Sequence, residues 1–378
     1  MIAMGDLNRA LREIQSGTVA RLLLADILQL AEREGILERM RSLSLFSLEE
    51  LCRALRLRLD YDLEKGNRQR MIWLLLRLLC EIGWVREEAG MWRWESGDPP
   101  PIPGSVGGMI PTKRLLEVED QYHFFQRCLK TVPAYLRGGN PSVLFDATNS
   151  TAWESFLGCA EFRTCRALLL QMMGIENHPS FRLLDLCHGP GWGLEATVSQ
   201  FPSIPITALD FTEIFCDKAR ARAGCAQARN DHVGQPIAPI AWVGPDRWKG
   251  FGRPFPFPDG SFEAVFFTCG DPYIPRGLRG EVYGEIGRVL TPDGRLGVLT
   301  RCCPDAEARH ASSFWLRISA LAHDFAESVC EGWEGFSHVE DTVRAFSDAG
   351  FEGAVNSLGA MSLLDSSLWV LKKRRSNE

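Results

Sequence analysis

Apolar positions in the first hundred residues recur at helical spacing. "LNRALREIQSGTVARLLLADILQLAEREGIL" places leucines on one face, and Gly35 is the expected stop. "SLEELCRAL" follows with Ser47 as N-cap and Glu50 three residues on, the signature of a capping box. "NRQRMIWLLLRLLCEIGW" predicts a third amphipathic helix that stops at Gly83. It leads into "VREEAGMWRW", a short hairpin turning at Ala89-Gly90. Three helices and a hairpin predict a winged helix within residues 1–105. The Pro- and Gly-rich stretch "ESGDPPPIPGSVGG" reads as a linker. Helical segments over 112–136 and 151–175 complete a second region, residues 106–180, expected to cover a site.

From Phe181 the pattern changes to apolar strands alternating with helices, which predicts an α/β domain over 181–378. Strands are expected at 182–186, 206–210, 240–244 and 262–268, the last entered by the Asp259-Gly260 turn. "RGEVYGEIGRVL" is a helix and "GRLGVLTR" the fifth strand. A long helical insertion spans 307–329, and "VEDTVRAFSDAGF" is a further helix. "GAVNSL" and "SSLWVLKK" are expected to close the sheet as an antiparallel pair.

The chemistry concentrates where the first of these strands ends, in "FRLLDLCHGPGWGLEATVSQFP". Asp185 closes the strand, and the turn supplies Gly189, Gly191 and Gly193. In doubly wound sheets a ligand lies beyond the carboxyl ends of the strands. Glycine lets the backbone turn tightly and approach it. Asp210, at the end of the next strand, is placed to accept the ribose hydroxyls of an adenosine. The glycines fall as G-P-G-W-G, so the dinucleotide fingerprint G-x-G-x-x-G is not met. A carboxylate at Asp185 repels a pyrophosphate but suits a cationic or amino-bearing ligand.

At these residues the chain resembles the class I S-adenosylmethionine-dependent methyltransferases. "LLDLCHGPGWG" is similar to that family's D-x-G-x-G-x-G loop. "FPDGSFEAVFF" resembles its fourth strand, and "EIGRVLTPDGRLGVLT" its helix, Pro-Asp-Gly turn and fifth strand. The N-terminal helices, "AWESFLGCAEFRTCRALLLQMM" and "FSHVEDTVRAFSDAGF" are similar to winged-helix-containing small-molecule O-methyltransferases. The resemblance implies a Rossmann-like seven-stranded methyltransferase sheet behind a mostly helical winged-helix dimerisation domain. It implies S-adenosyl-L-methionine as cofactor, held by Asp185, Gly189 and Gly191, with Asp210 on the ribose and Asp246 or Trp248 near the adenine. It implies a homodimer and, as acceptor, a small molecule methylated on oxygen.

Three departures qualify it. Cys187 replaces the first loop glycine, which a cysteine tolerates if that position does not need positive φ. His188 is read as a loop residue facing solvent or the cofactor carboxylate. After the fourth strand, where plant-type relatives carry His-Asp-Trp, this chain has "FFTCGDPYIP", with Gly270 in place of the basic histidine. Candidate bases elsewhere are His323 and His310 on the insertion and His123 on the earlier helix. Alternatively the acceptor needs no base, as with a thiolate, a carboxylate or an acidic enol. Aromatic residues Tyr122, Phe124, Phe125, Phe314, Trp315 and Phe325 are candidates for an acceptor wall.

Twelve cysteines show no C-x-x-C pair and no disulfide framework, so most read as buried thiols, and no metal site is expected. Cys187, Cys269, Cys302 and Cys303 all follow strand ends, which keeps transfer to sulfur or a thiophilic metalloid as an alternative. A net charge of -6 gives no electrostatic reason to bind nucleic acid. Arg68, Arg70 and Arg77 leave a DNA-binding, metabolite-sensing regulator as the minor reading. No apolar run reaches membrane-spanning length and the first residues lack a signal-peptide pattern, so a cytoplasmic location is expected.

Overall fold

The computed structural model describes residues 18–57, 68–95, 118–303, 314–353 and 366–374. These fall into two compact units. One contains residues 18–57, 68–95, 118–144 and 314–335; the other contains 145–303, 336–353 and 366–374. The region 106–180 is therefore divided at residue 144, and the insertion returns to the first unit.

The first unit is mostly helical: α1 (Thr18–Arg33), α2 (Ile36–Leu43), β1 (Leu45–Phe46), α3 (Leu48–Ala54), α4 (Arg68–Glu81), β2 (Val85–Glu88), β3 (Met91–Trp94) and α5 (Glu119–Leu136). The insertion helix, Phe314–Glu327, also belongs to it. The capping box forms as predicted: the Glu50 amide donates to Ser47 Oγ at 3.1 Å, and the Ser47 amide donates to the Glu50 carboxylate at 2.7 Å. Ala89 (φ 52°) and Gly90 (φ 79°) make the hairpin turn, and positive φ at both positions matches the twist of the paired strands. The three strands pair in the order β1-β3-β2.

Helix α4 is buried around much of its circumference, with Met71, Ile72, Leu74, Leu75, Leu78 and Leu79 inaccessible. Its arginines are consumed locally. Arg68 Nε donates to the Tyr135 carbonyl at 2.7 Å, Arg70 grips both carboxylate oxygens of Asp324, and Arg77 donates to Glu87 at 2.9 Å.

The second unit continues with α6 (Ser150–Leu157), α7 (Ala160–Met172), β4 (Leu183–Leu186), α8 (Trp192–Gln200), β5 (Ile206–Leu209), α9 (Cys216–His232), β6 (Ile240–Val243), β7 (Phe262–Thr268), α10 (Arg279–Val289) and β8 (Leu290–Thr300). After the insertion helix, α11, come α12 (Val339–Asp348), β9 (Phe351–Glu352) and β10 (Ser367–Lys373). The helix expected over 151–175 breaks at Gly158-Cys159 into α6 and α7.

The seven strands lie in the order β6-β5-β4-β7-β8-β10-β9. Strands β4 to β8 are parallel, and β10 runs antiparallel to both β8 and β9. The antiparallel closure predicted at the C-terminus is present. Its first strand, β9, lies at Phe351–Glu352, before the predicted strand 353–358, of which Gly353 is outside any strand and 354–358 lie outside the described residues. Leu184, Leu186, Val265, Phe267, Leu296 and Val298 on one face pack with Ile286, Phe346 and Trp369 into a continuous core. The order reverses between β4 and β7, so the switch point falls at the ends of those two strands.

Candidate active site

Both strands that flank the switch point are followed directly by a cysteine. Cys187 has φ 57° and Cys269 has φ 62°, both left-handed. The expectation that Cys187 avoids positive φ is thus corrected: the backbone there takes the conformation that glycine adopts most easily. The parallel ladders explain why. The Cys187 amide donates to the Leu209 carbonyl and the Cys269 amide to the Leu299 carbonyl, each at 2.8 Å, so both residues prolong a ladder while the chain turns away.

After Cys187 the chain turns through Gly189 (φ 50°) and Gly191 (φ 85°) into α8. At Gly191 a Cβ would lie 2.7 Å from the Ala219 Cα, so no side chain fits. The Gly189 amide donates to Asp210 Oδ2 at 2.9 Å, and Thr212 donates its amide and its hydroxyl to Asp210 Oδ1, each at 2.8 Å. A carboxylate offers about four acceptor directions. Three are used here, leaving room for one further hydroxyl rather than the two of a ribose diol while Thr212 keeps its bond.

Asp185 is buried beneath this turn, and its Oδ2 has no hydrogen-bond partner. That oxygen would stand 2.8 Å from a Cβ at Gly193, so this glycine makes room for the carboxylate. Burial pushes the Asp185 carboxyl up to about 8; Arg166 opposes the rise and Asp210 adds to it. Arg166 is buried too. It donates to the Leu157 carbonyl at 2.6 Å and to Thr268 Oγ1 at 3.1 Å, and its Nη2 lies 3.6 Å from Cys269 Sγ.

No protein-family model matches the chain. Over 222 residues it is 22% identical to the demethylmenaquinone methyltransferase of Chlamydia pneumoniae, covering 54% of this chain and 83% of that protein. The CurJ carbon methyltransferase superposes with a TM-score of 0.61 at 14% identity, over 97% of this chain and 96% of that one. The DszA carbon methyltransferase does so with 0.58 at 16% identity, over 98% and 94%. The superpositions establish the fold; the loop residues and the sequence relative agree with it. In fold and in sequence the chain is similar to S-adenosylmethionine-dependent methyltransferases.

S-adenosylmethionine is the methyl donor of these relatives, and this chain's residues fit it. Gly191 excludes a side chain and Gly189 has a left-handed backbone, Asp185 Oδ2 is buried without a hydrogen-bond partner, and Asp210 keeps one acceptor direction. The two adenine candidates part company. Asp246 is exposed after β6, whereas Trp248 is buried among Phe211, Phe251 and Phe255 and donates its indole N–H to the Arg253 carbonyl at 3.2 Å. His188 does not face solvent. It is buried, its Nδ1 lies 2.8 Å from the Gly189 carbonyl and 4.0 Å from Asp210 Oδ2, and its ring meets the Trp242 edge.

The candidate bases lie in the helical unit. His323 on α11 is fully buried, stacks on Phe125 at 4.3 Å, and has no hydrogen-bond partner at either ring nitrogen. His123 is exposed on α5, 3.9 Å from Glu119. His310 lies outside the described residues. Of the aromatic residues proposed for a wall, Phe124, Phe125 and Phe325 belong to the helical unit's core; Tyr122 donates to Asp26 at 2.7 Å, and Trp315 lies beneath Arg21.

At the end of β7, a side chain at Gly270 would overlap the Phe267 ring, so that position is closed to a histidine. Asp271 turns inward, accepting from the Tyr283 hydroxyl and, at 3.3 Å, from Thr300. The cysteines do not form a thiolate cluster. Burial and the carboxylates of Asp210 and Asp185 hold Cys187 well above its ordinary value, and burial with Asp271 pushes Cys302 up to about 11. Cys302 points into the core toward Thr342, 3.7 Å away. Among the described residues no three His, Cys, Asp or Glu side chains are arranged to hold a metal ion, and no described helix is long and apolar enough to cross a membrane.

Sequence reading missed Arg166, which is one arginine among many on a helix, and the aromatic group of Phe145, Trp153 and Tyr273. Phe145 stacks on Trp153 at 5.0 Å and meets Tyr273 at 5.4 Å. These residues come from three separate elements, and no local pattern joins them.

Proposed function

We propose that the methyltransferase transfers the donor's methyl group to a small molecule whose nucleophile is an acidic enol. The observation that carries this is the end of β7. Gly270 has no space for a basic side chain, and Asp271 is buried, accepting from Tyr283 and Thr300. A weakly acidic alcohol finds no histidine base there. An acceptor that ionises by itself needs none.

The donor supplies an electrophilic methyl on a sulfonium. The protein's share is to hold both partners in line and exclude water. Asp185 and Asp210 fit the donor's ammonium and ribose. Phe145 and Tyr273, half-buried and backed by Trp153, form an aromatic cluster next to the β7 end against which an apolar acceptor could pack. An enolate is nucleophilic at oxygen and at its conjugated carbon. Oxygen is the atom expected from the sequence. Carbon is favoured by the names of the CurJ and DszA relatives, and a quinone-type acceptor by that of the bacterial relative.

The test is turnover with labelled donor against a panel of 1,3-dicarbonyls, phenols, hydroquinones and aliphatic alcohols, with the product's methylated atom read by NMR. Label is expected in the 1,3-dicarbonyls, which ionise unaided. Turnover confined to aliphatic alcohols overturns the proposal, and turnover confined to the phenols and hydroquinones also overturns it.

We further propose that the helical unit is a winged-helix dimerisation domain of a cytoplasmic homodimer. The consumption of Arg68, Arg70 and Arg77 within the unit favours this over DNA reading, because α4 presents packed leucines where a groove-reading helix presents free cations. Light scattering of the purified chain at twice the monomer mass is expected.

A further inference from the structure

Helix α6 lies directly over the glycine turn. Leu157 Cδ1 is 3.8 Å from where a Cβ of Gly189 would be. At the other side of the switch point, Trp153 of the same helix meets Tyr273 beyond β7, with ring centroids 6.4 Å apart. One short helix thus touches both the turn and the aromatic surface beside it.

What fastens α6 there comes from the turn itself. Trp192 follows Gly191, and its indole N–H donates to the Glu154 carbonyl of α6 at 3.0 Å. Its ring fills the place of a side chain at Gly158, where an added methyl would overlap the indole. The Arg222 guanidinium lies over the ring, 3.4 Å from its centroid. Arg222 also donates to the Pro190 carbonyl in the turn at 3.1 Å and pairs with the Glu154 carboxylate, which Lys218 shares. An arginine stacked on an indole and hydrogen-bonded at its rim is held on several sides at once.

We propose that Trp192 and Arg222 form a latch that clamps α6 over the bound donor, making them positioning residues that set how long the donor stays. This rests on the reading that the turn holds S-adenosylmethionine. Neither residue needs to touch the donor. Their effect passes through α6, and so it belongs to escape more than to entry.

The test is stopped-flow binding of S-adenosylhomocysteine to the full chain. Trp192→Ala is expected to raise the dissociation rate about tenfold while the association rate changes far less. Trp192→Phe, which keeps a ring under Arg222, is expected to recover most of the loss. Gly158→Ala, whose methyl displaces the indole, is expected to reproduce the effect without altering the turn. Combined with Trp192→Ala it is expected to add nothing further, because both break one contact. A dissociation rate within twofold of wild type in both single variants, or full additivity, overturns the latch. Should Trp192→Ala fail to fold, Gly158→Ala and Trp192→Phe decide alone. Wild-type chain that binds no S-adenosylhomocysteine overturns the donor reading, and the latch with it, whereas unchanged rates in binding-competent variants overturn the latch only.

Discussion

The Gly189 amide donates to Asp210 Oδ2 at 2.9 Å, joining the turn after β4 to the end of β5. Leu186 and Leu209 are paired in the parallel ladder, so the residues that follow them emerge side by side. The ladder and this hydrogen bond together fix the shape of the turn.

Asp210→Asn keeps the shape but replaces one acceptor oxygen by an N–H₂ donor. Either Gly189 or Thr212 then faces a donor across a hydrogen-bond distance. The thermal midpoint is expected to fall modestly, by the equivalent of about 1–3 kcal/mol for the unmet groups. Differential scanning calorimetry reads it, and an unchanged midpoint contradicts the role of Asp210 in fixing the turn.

Asp185 predicts a proton linkage. Its carboxyl rises from 3.8 to about 8 on folding, chiefly by burial. The folded state therefore binds a proton that the unfolded state has released between those values. The group's stabilising contribution is complete below about pH 4 and is lost as pH rises toward 8. Unfolding midpoints of wild type should fall across that window more steeply than those of Asp185→Asn. A cationic ligand arriving at Asp185 favours its ionised form, so binding at neutral pH is expected to release a proton. Calorimetry in buffers of different ionisation enthalpy detects it, and the release should vanish in Asp185→Asn.

Cys187 and Cys269 carry a backbone penalty of about 1–2 kcal/mol each for the left-handed conformation. Glycine removes it but costs about 0.5–1 kcal/mol in unfolded-chain entropy. Alanine keeps the penalty. The glycine variant at either position is expected to be more stable than the alanine variant by about 1 kcal/mol. Denaturant titrations that rank alanine above glycine contradict the backbone assignment.

In the helical unit, Arg70 pairs with a fully buried Asp324, which also accepts from Trp333 Nε1 at 3.0 Å. Arg70→Met removes the cation and leaves the buried carboxylate without it, at a cost of about 3–5 kcal/mol. Adding Asp324→Asn is expected to restore much of that, because the charge itself is the expense. Chemical denaturation of the single and double variants checks the sign.

Much of this fold was legible in the residues. Strand β7 falls at Phe262–Thr268 as its apolar run predicts, and the Ser47–Glu50 box and the Ala89-Gly90 turn form where their short-range chemistry requires. Asp185, Gly189, Gly191 and Asp210 come together because a parallel sheet puts successive strand ends on one edge. What was not legible is long-range. The indole of Trp192 excludes a side chain at Gly158, and Arg166 reaches from α7 to Cys269. Of the two readings of His188, facing solvent or facing the cofactor carboxylate, burial removes the first, because Trp242, from a strand two places away in the sheet, packs against it. Such pairings depend on how elements stack, and periodicity carries no information about that.

The central claim is that the turn at Gly189 and Gly191 holds the donor, and its most direct measurement is calorimetric titration of the purified chain with S-adenosylhomocysteine. Wild type is expected to bind one equivalent per chain. Gly191→Ala, whose methyl meets the Ala219 backbone, is expected to lose at least about tenfold in affinity, or roughly 1.4 kcal/mol. No heat from wild type, or equal affinity in the two proteins, contradicts the account.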